Sequence, residues 1–193
     1  QTRIRKQPVQ EVILGAQVSG TSLTTATVGI DLLASQQGAR FRMVLNGKTI
    51  SDTRADKRGA SIYTHGEHVF NASKLVLFDG DRFKTEPAEV SVNSNSTIVA
   101  VAAKSSLVRR IAKKKALKLQ GQSEQIAGER VAADVAPEFN SEVDKQFKQA
   151  TADLAKHVNG PLEKLDLAPA GRSITSTDTE LRVASQLMGS GEL

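Results

Sequence analysis

The sequence predicts an α+β fold: a curved antiparallel β-sheet of about eight strands plus a C-terminal returning strand, packed on one long helix that kinks or restarts once. Three observations predict it. From Val9 to Ala103 apolar residues recur with a period of two, in segments rich in Val, Ile, Thr and Phe and punctuated by Gly, Asn and Asp. After Ala103 the period becomes about 3.6 and holds to about Val158. Residues 177–188, TDTELRVASQLM, alternate again. At 193 residues the chain is long enough to bury a core without disulfides or metal staples.

Residues 1–8 are expected to form an N-terminal arm and 9–103 an antiparallel meander. Strands are placed near EVILGAQV (11–18), TTATVGIDLLA (24–34), ARFRMVLN (39–46), ASIYTHG (60–66), HVFNASKLVLF (68–78), RFKT (82–85), AEVSVN (88–93) and TIVAVAA (97–103). Alternation gives each strand one inward face: Phe41, Met43 and Leu45 oppose Arg40, Arg42 and Val44 in the third. Asn46-Gly47 and Gly80, between Asp79 and Asp81, are expected to supply the positive φ angles of tight hairpins. SDTRADKRG, 51–59, reads as a longer polar loop.

Residues 104–160 form the long helical region. Phe139, Val143, Phe147, Ala150, Leu154 and Val158 follow steps of three and four, which defines one apolar stripe. Pro137 marks a kink or a second start, and Asn159-Gly160-Pro161 is a stop signal. Residues 161–193 supply a connector, PLEKLDLAPAGRS (161–173), and the returning strand. The four segments are expected to make one folded unit. Either the sheet curls around the helix, or the helix projects and pairs with a second copy; the returning strand favours the first.

The formal charge is +5, from 26 basic and 21 acidic side chains, yet seven of the basic ones lie between Lys104 and Lys118 with no acid among them. The basicity is therefore local. At 100° per residue, Arg109, Arg110, Lys113 and Lys114 share one arc, while Leu107, Val108, Ile111, Ala112 and Leu119 occupy much of the opposite half. Lys115 and Lys118 fall on the apolar side. Four readings follow. The stretch is a solvated face whose apolar side packs on the sheet; it pairs with the acidic half downstream (Glu124, Glu129, Asp134, Glu138, Glu142, Asp144) in a dimer or by folding back at Gly121 or Gly128; it grips an anionic lipid or polymer; or it contacts nucleic acid. The last is disfavoured, since no aromatic lies between Phe83 and Phe139 to stack on bases. The same lack of aromatics weakens the membrane reading without removing it.

No catalytic, cofactor or metal site has an address in the sequence. There is no Cys, which excludes disulfides and thiolate chemistry. In His65-Gly66-Glu67-His68 the two imidazoles point to opposite faces of a strand, and FDGDRF holds too few oxygens for a calcium loop. The start of SDTRA resembles an aspartic-protease turn, but Arg54 stands where a small Gly is needed. No G-x-S-x-G elbow, phosphate loop or G-x-G-x-x-G is present. The longest uncharged run, from Val12, alternates and is rich in Ser, Thr and Gly, so no transmembrane helix is expected. The N-terminus, QTRIRKQPVQEV, has no apolar h-region and reads as that of a processed or excised segment.

The succession VQEVILGAQVSGTSLTTATVGIDLL, NGKTISDT, IYTHGEHVFNASKLVLFDG, SLVRRIAKKKA and STDTELRV resembles a group of uncharacterised, exported proteins of planctomycete-type bacteria. In these a β-rich module is followed by a long charged helix and a late strand. The resemblance implies a cell-envelope or extracellular setting and carries no activity. The function expected is that of a non-catalytic extracytoplasmic module for scaffolding, oligomerisation through the long helix, or holding a hydrophobic or lipid-like ligand. The alternative is binding of a polyanion or anionic membrane through Arg109, Arg110, Lys113, Lys114, Lys115 and Lys118. A hydrolase with an unrecognised site is the third reading; it requires His65, Glu67 and His68 to line one pocket with Asp52.

Overall fold

The computed structural model describes residues 2–164 and 171–186. Its order is β1 (Thr2–Ile13), β2 (Ala16–Leu33), β3 (Ala39–Lys57), β4 (Ala60–Phe78), β5 (Phe83–Thr85), β6 (Glu89–Ala103), α1 (Ser106–Leu154), a π-helical turn (Ala155–Asn159), α2 (Gly160–Lys164), β7 (Gly171–Ser176) and β8 (Leu181–Gln186). The class is α+β, an antiparallel sheet packed with one long helix, as the two periodicities predict. The sheet runs β1-β2-β3-β4, and both β5 and β6 pair with β4.

The strands are fewer and longer than expected. The first turn falls at Leu14-Gly15, inside the segment read as a strand, and residues 2–8, read as an arm, belong to β1, whose register runs from Thr2 opposite Thr27 to Ile13 opposite Ala16. Asn46-Gly47 makes no turn but lies within β3. A Cβ on Gly47 would sit 2.1 Å from Cζ of Phe70, a side chain only 1% exposed, so the glycine makes room for a core ring. The polar run 51–57 also stays in the strand, because its side chains find cross-strand partners: Thr53 Oγ1 lies 2.7 Å from Thr64 Oγ1 and Asp52 Oδ1 2.7 Å from His65 Nδ1. The turn comes only at Arg58-Gly59, with φ angles of 48° and 79°. Leu14 and Gly15, at 51° and 71°, make the same kind of two-residue turn. A non-glycine side chain in this left-handed region costs about 1–2 kcal/mol.

Ser105 caps α1: its Oγ accepts the Val108 N–H at 3.2 Å and its carbonyl the Arg109 N–H at 3.0 Å. The helix then runs through Gly121 and Gly128 without folding back and through Pro137 without a second start. The expected stop at Asn159-Gly160-Pro161 is also absent. The Gly160 N–H bonds the Ala155 carbonyl, a step of five residues, and the backbone stays helical to Lys164. Pro161 has no N–H and crowds the carbonyl four residues before it, which a widened turn relieves. The predicted stripe is buried or half-buried from Phe139 to Leu154, but Val158, within the widened turn, is 42% exposed.

The described residues group into two compact units, each drawing on strands and helix: Gln1–Val28, Leu45–Ala72 and Val90–Val135 form the first, and Gly29–Val44, Ser73–Glu89 and Ala136–Leu193 the second. In the second, Ala39, Met43, Val76, Phe139, Val143 and Ile174 are buried. Beside them Phe41, Phe78, Phe83 and Phe147 form a ring cluster with neighbouring centroids 4.4 to 6.3 Å apart. Lys74, 3% exposed, is held by Asn140 Oδ1 at 2.6 Å and Asp144 Oδ1 at 3.0 Å. Burial raises the Asp144 pKa, but hydrogen bonds from Thr85 and Lys74 and the lysine's charge outweigh it and hold the carboxyl below its ordinary range.

The single returning strand is instead a hairpin. β7 and β8 form a separate two-stranded sheet, from Gly171 opposite Gln186 to Ser176 opposite Leu181. β7 is tied to residues after β2 by a Ser35–Ser176 bridge, and the buried Ser176 Oγ donates to the Leu33 carbonyl at 2.6 Å while accepting the Arg40 N–H at 3.0 Å. The turn is fixed by Thr177, whose Oγ1 accepts the Glu180 N–H at 2.9 Å. Positions 187–188 of the expected strand lie outside the described residues.

The first unit is fastened differently. Val18, Phe70 and Ala72 are its buried apolar side chains. Around them Thr24 Oγ1 meets Thr49 Oγ1 at 2.8 Å, and buried His68 sits between Ser94 Oγ (2.9 Å) and Ser51 Oγ (3.4 Å). Helix α1 is pinned to β6 by Glu124 Oε1, which accepts the Ser96 N–H and hydroxyl at 2.8 Å each, and by Gln120 Nε2, which donates to the Ser96 carbonyl at 2.6 Å. Gly128 allows this approach, since a Cβ there would lie 2.9 Å from Ser94 Oγ.

Candidate anionic-surface site

The basic stretch forms the first turns of α1, and Lys104, Arg109, Arg110, Lys113, Lys114, Lys115 and Lys118 are all exposed. Among the described residues none of the seven side chains has an ion-pair or hydrogen-bond partner. Elsewhere in this unit several cations are engaged, as in Lys48–Glu67 at 2.7 Å, Arg54–Asp56 at 2.9 Å and Arg130–Glu11.

The apolar side expected to pack on the sheet does so only at Ala112 and Leu119. Leu107 is 67% exposed, Ile111 59% and Leu117 55%. The half-buried positions are Ala112, Ala116, Leu119 and Gln120, so the packed arc is rotated toward the small residues. At 100° steps the opposite, outward arc carries Leu107, Ile111, Lys114 and Lys118, flanked by Arg110 and Leu117. The reason is the approach distance: the pinning contacts at Gln120, Glu124 and Gly128 set the helix rotation, and Leu107 and Ile111 follow it outward.

The charges oppose the helix. Its first turn holds no acid, and Arg109 and Arg110 stand at the end where the macrodipole is already positive. Cations there destabilise a helix by about 0.3–1 kcal/mol each and become favourable when an anion is present. The downstream acids offered as dimer partners are partly committed within the chain: Glu124 to Ser96, Asp144 to Thr85 and Lys74, and Glu129 to Gln125 at 2.9 Å. Burial raises the Glu124 pKa, but hydrogen bonds from Ser96 and Gln120, with attraction from His68, bring it below the ordinary range.

The residues of the hydrolase and metal readings do not converge. His65 pairs with Asp52 on an exposed face, Glu67 binds Lys48, and His68 lies on the buried face beside Ser94. Among the described residues no three His, Asp or Glu side chains are grouped to hold a metal. Burial pushes the His68 imidazole below its ordinary pKa, against the upward pull of Glu124.

For the hydrophobic-ligand reading, the described residues of the second unit offer an open cleft of about 390 Å³ between Gln37–Ala39 and Leu77–Asp79. Its acid is taken: Asp79 Oδ1 accepts the Asp81 and Arg82 N–H groups at 3.1 and 3.0 Å. These bonds, led by that from Arg82, and the Lys84 and Arg82 side chains lower its pKa to about 2. Among the described residues no helix is long and apolar enough to cross a membrane. No family model, no curated protein and no solved structure matches the chain.

Sequence spacing located the cations but not the direction in which Leu107 and Ile111 face. The one available signal was Ala112, Ala116 and Gly128, small residues that let a helix lie close to a sheet.

Proposed function

We propose that the protein is a non-catalytic extracytoplasmic binding module that docks on an anionic phospholipid surface through residues 104–118. The observation that supports this reading is the set of seven exposed, unpartnered cations interleaved with exposed Leu107, Ile111 and Leu117. Each Lys or Arg near an anionic bilayer contributes about 1 kcal/mol, so electrostatics alone gives useful affinity, and inserted aliphatic side chains add a second signal. A soluble polyanion would use the cations but leave the aliphatic groups in water.

The test is cosedimentation with phosphatidylglycerol-containing and purely phosphatidylcholine vesicles, at low and near-physiological salt. Binding to the anionic vesicles alone is expected, weakening as salt screens the charges and weakened further in the Lys113→Glu/Lys114→Glu/Lys115→Glu variant. No sedimentation with either vesicle at low salt would sink the reading.

A further inference from the structure

The docking surface does not end with the helix. The Arg58-Gly59 turn closes β3 to β4, so it lies where β4 begins at Ala60. β6 pairs with β4 antiparallel, and His68, eight residues into β4, meets Ser94, nine residues before the end of β6. The end of β6 at Ala103 therefore lies near the start of β4. Lys104 and the first turn of α1 follow directly. The neighbouring Leu14-Gly15 turn is tied to the same end, because Lys57 Nζ donates to the Leu14 carbonyl.

Arg58 itself is exposed, has no side-chain partner among the described residues, and is held at φ 48°. Asn or Gly would take this turn position without strain. Nothing in the fold calls for arginine there.

We propose that an anionic bilayer is met by this end of the unit first, with Arg58, Lys104 and Leu107 touching it together and the rest of the helix rising away. The inference rests on the membrane-docking reading and adds an orientation and a residue outside the basic stretch. The geometry grades the cations. A helix rises 1.5 Å per residue, so Lys118 lies about 18 Å along the axis from Ser106, beyond a screening length of about 8 Å. Arg58 and Lys104 are within that length of the surface. A helix lying flat would instead use Lys114 and Lys118 as fully as Arg110, and Arg58 not at all.

The experiment measures affinity for phosphatidylglycerol-containing vesicles, together with melting temperature, for Arg58→Asn, Arg110→Gln, Lys118→Gln and Leu107→Ser/Ile111→Ser. Arg58→Asn is expected to raise the melting temperature, by relieving the left-handed arginine, and to weaken vesicle binding about fivefold. Arg110→Gln should weaken binding similarly and Lys118→Gln by less than twofold. Leu107→Ser/Ile111→Ser should weaken binding to vesicles but not to polyphosphate; equal loss on both, or on neither, overturns the bilayer as the occupant. Unchanged vesicle affinity in Arg58→Asn beside a weakened Arg110→Gln overturns the tip-first orientation and leaves helix docking standing. Equal losses for Lys118→Gln and Arg110→Gln also overturn it. Wild-type protein that ignores the vesicles removes the docking reading itself.

Discussion

In the second unit the helical stretch after Ala136 meets its strands through Phe139, Val143, a cluster of four phenylalanines and one buried, fully engaged lysine. The stretch before it meets the first unit's strands through Gln120, Glu124, Gly128 and Arg130, over an inner face of Thr, Ser and His hydroxyls and rings. Each fully buried large apolar side chain contributes about 1.5–3 kcal/mol, whereas a neutral hydrogen bond nets about 0.5–1.5 kcal/mol. The apolar unit derives its stability from area. The polar unit derives less from area and more from direction, and direction fixes the helix rotation that leaves Leu107 and Ile111 in water.

Three measurements sharpen or break this contrast. The largest effect is expected from Phe139→Ala, which removes a buried ring from the second unit and should cost about 3–5 kcal/mol in urea unfolding, with hydrogen exchange rising in 136–154. A cost below 1 kcal/mol would show that the apolar stripe is not what holds this half.

The second is a difference in acid sensitivity. His68 has an ordinary pKa of 6.5 and is held below it by burial, so the unfolded chain takes up the proton first. Its contribution is complete above pH 6.5 and is lost as the pH falls below that value toward the folded-state pKa. Asp144 and Glu124 also have lowered values, from 3.8 and 4.5, and their contributions are lost only at more acid pH. Amides around Ser94, Ser96 and residues 120–128 should therefore lose protection in mild acid before those around Lys74 and Asn140. His68→Gln should remove the mild-acid step; a step that persists would place it elsewhere.

The smallest effect is expected at Thr24 and Thr49. Replacing both with Val removes a donor and an acceptor together and should change stability by less than about 1 kcal/mol, while Thr49→Val alone leaves Thr24 unpaired and costs more. Equal effects for the single and double variants would mean that the hydroxyl pair has no coupling.

Much of this contrast could not be seen from the chain alone. Phe139, Val143, Phe147 and Leu154 announced a packed helix because a period near 3.6 survives any choice of partner. The inner face of the first unit announced nothing. Ser51, Asp52 and Thr53 read as loop because their polarity is the usual mark of one, and only the partners Thr64, His65 and His68 across the strand make them strand residues. Leu14 hid a turn because leucine is not a turn residue. His68 read as one half of a weak metal motif, and its actual partners, Ser94 and Glu124, lie 26 and 56 positions away in the chain.

By itself the sequence determined the α+β class, the place where strand gives way to helix, the apolar stripe of the helix's second half and the concentration of cations at 104–118. These depend on local periodicity and on charge counts, which no tertiary contact can alter. Tertiary structure alone decided where strands continued through polar and glycine-rich stretches, that the C-terminal strand is a hairpin, and which side of the first helical turns faces water. Those outcomes depend on cross-strand partners and on how closely Gly128 lets the helix lie on β6, and such contacts exist only between residues that are far apart in the chain.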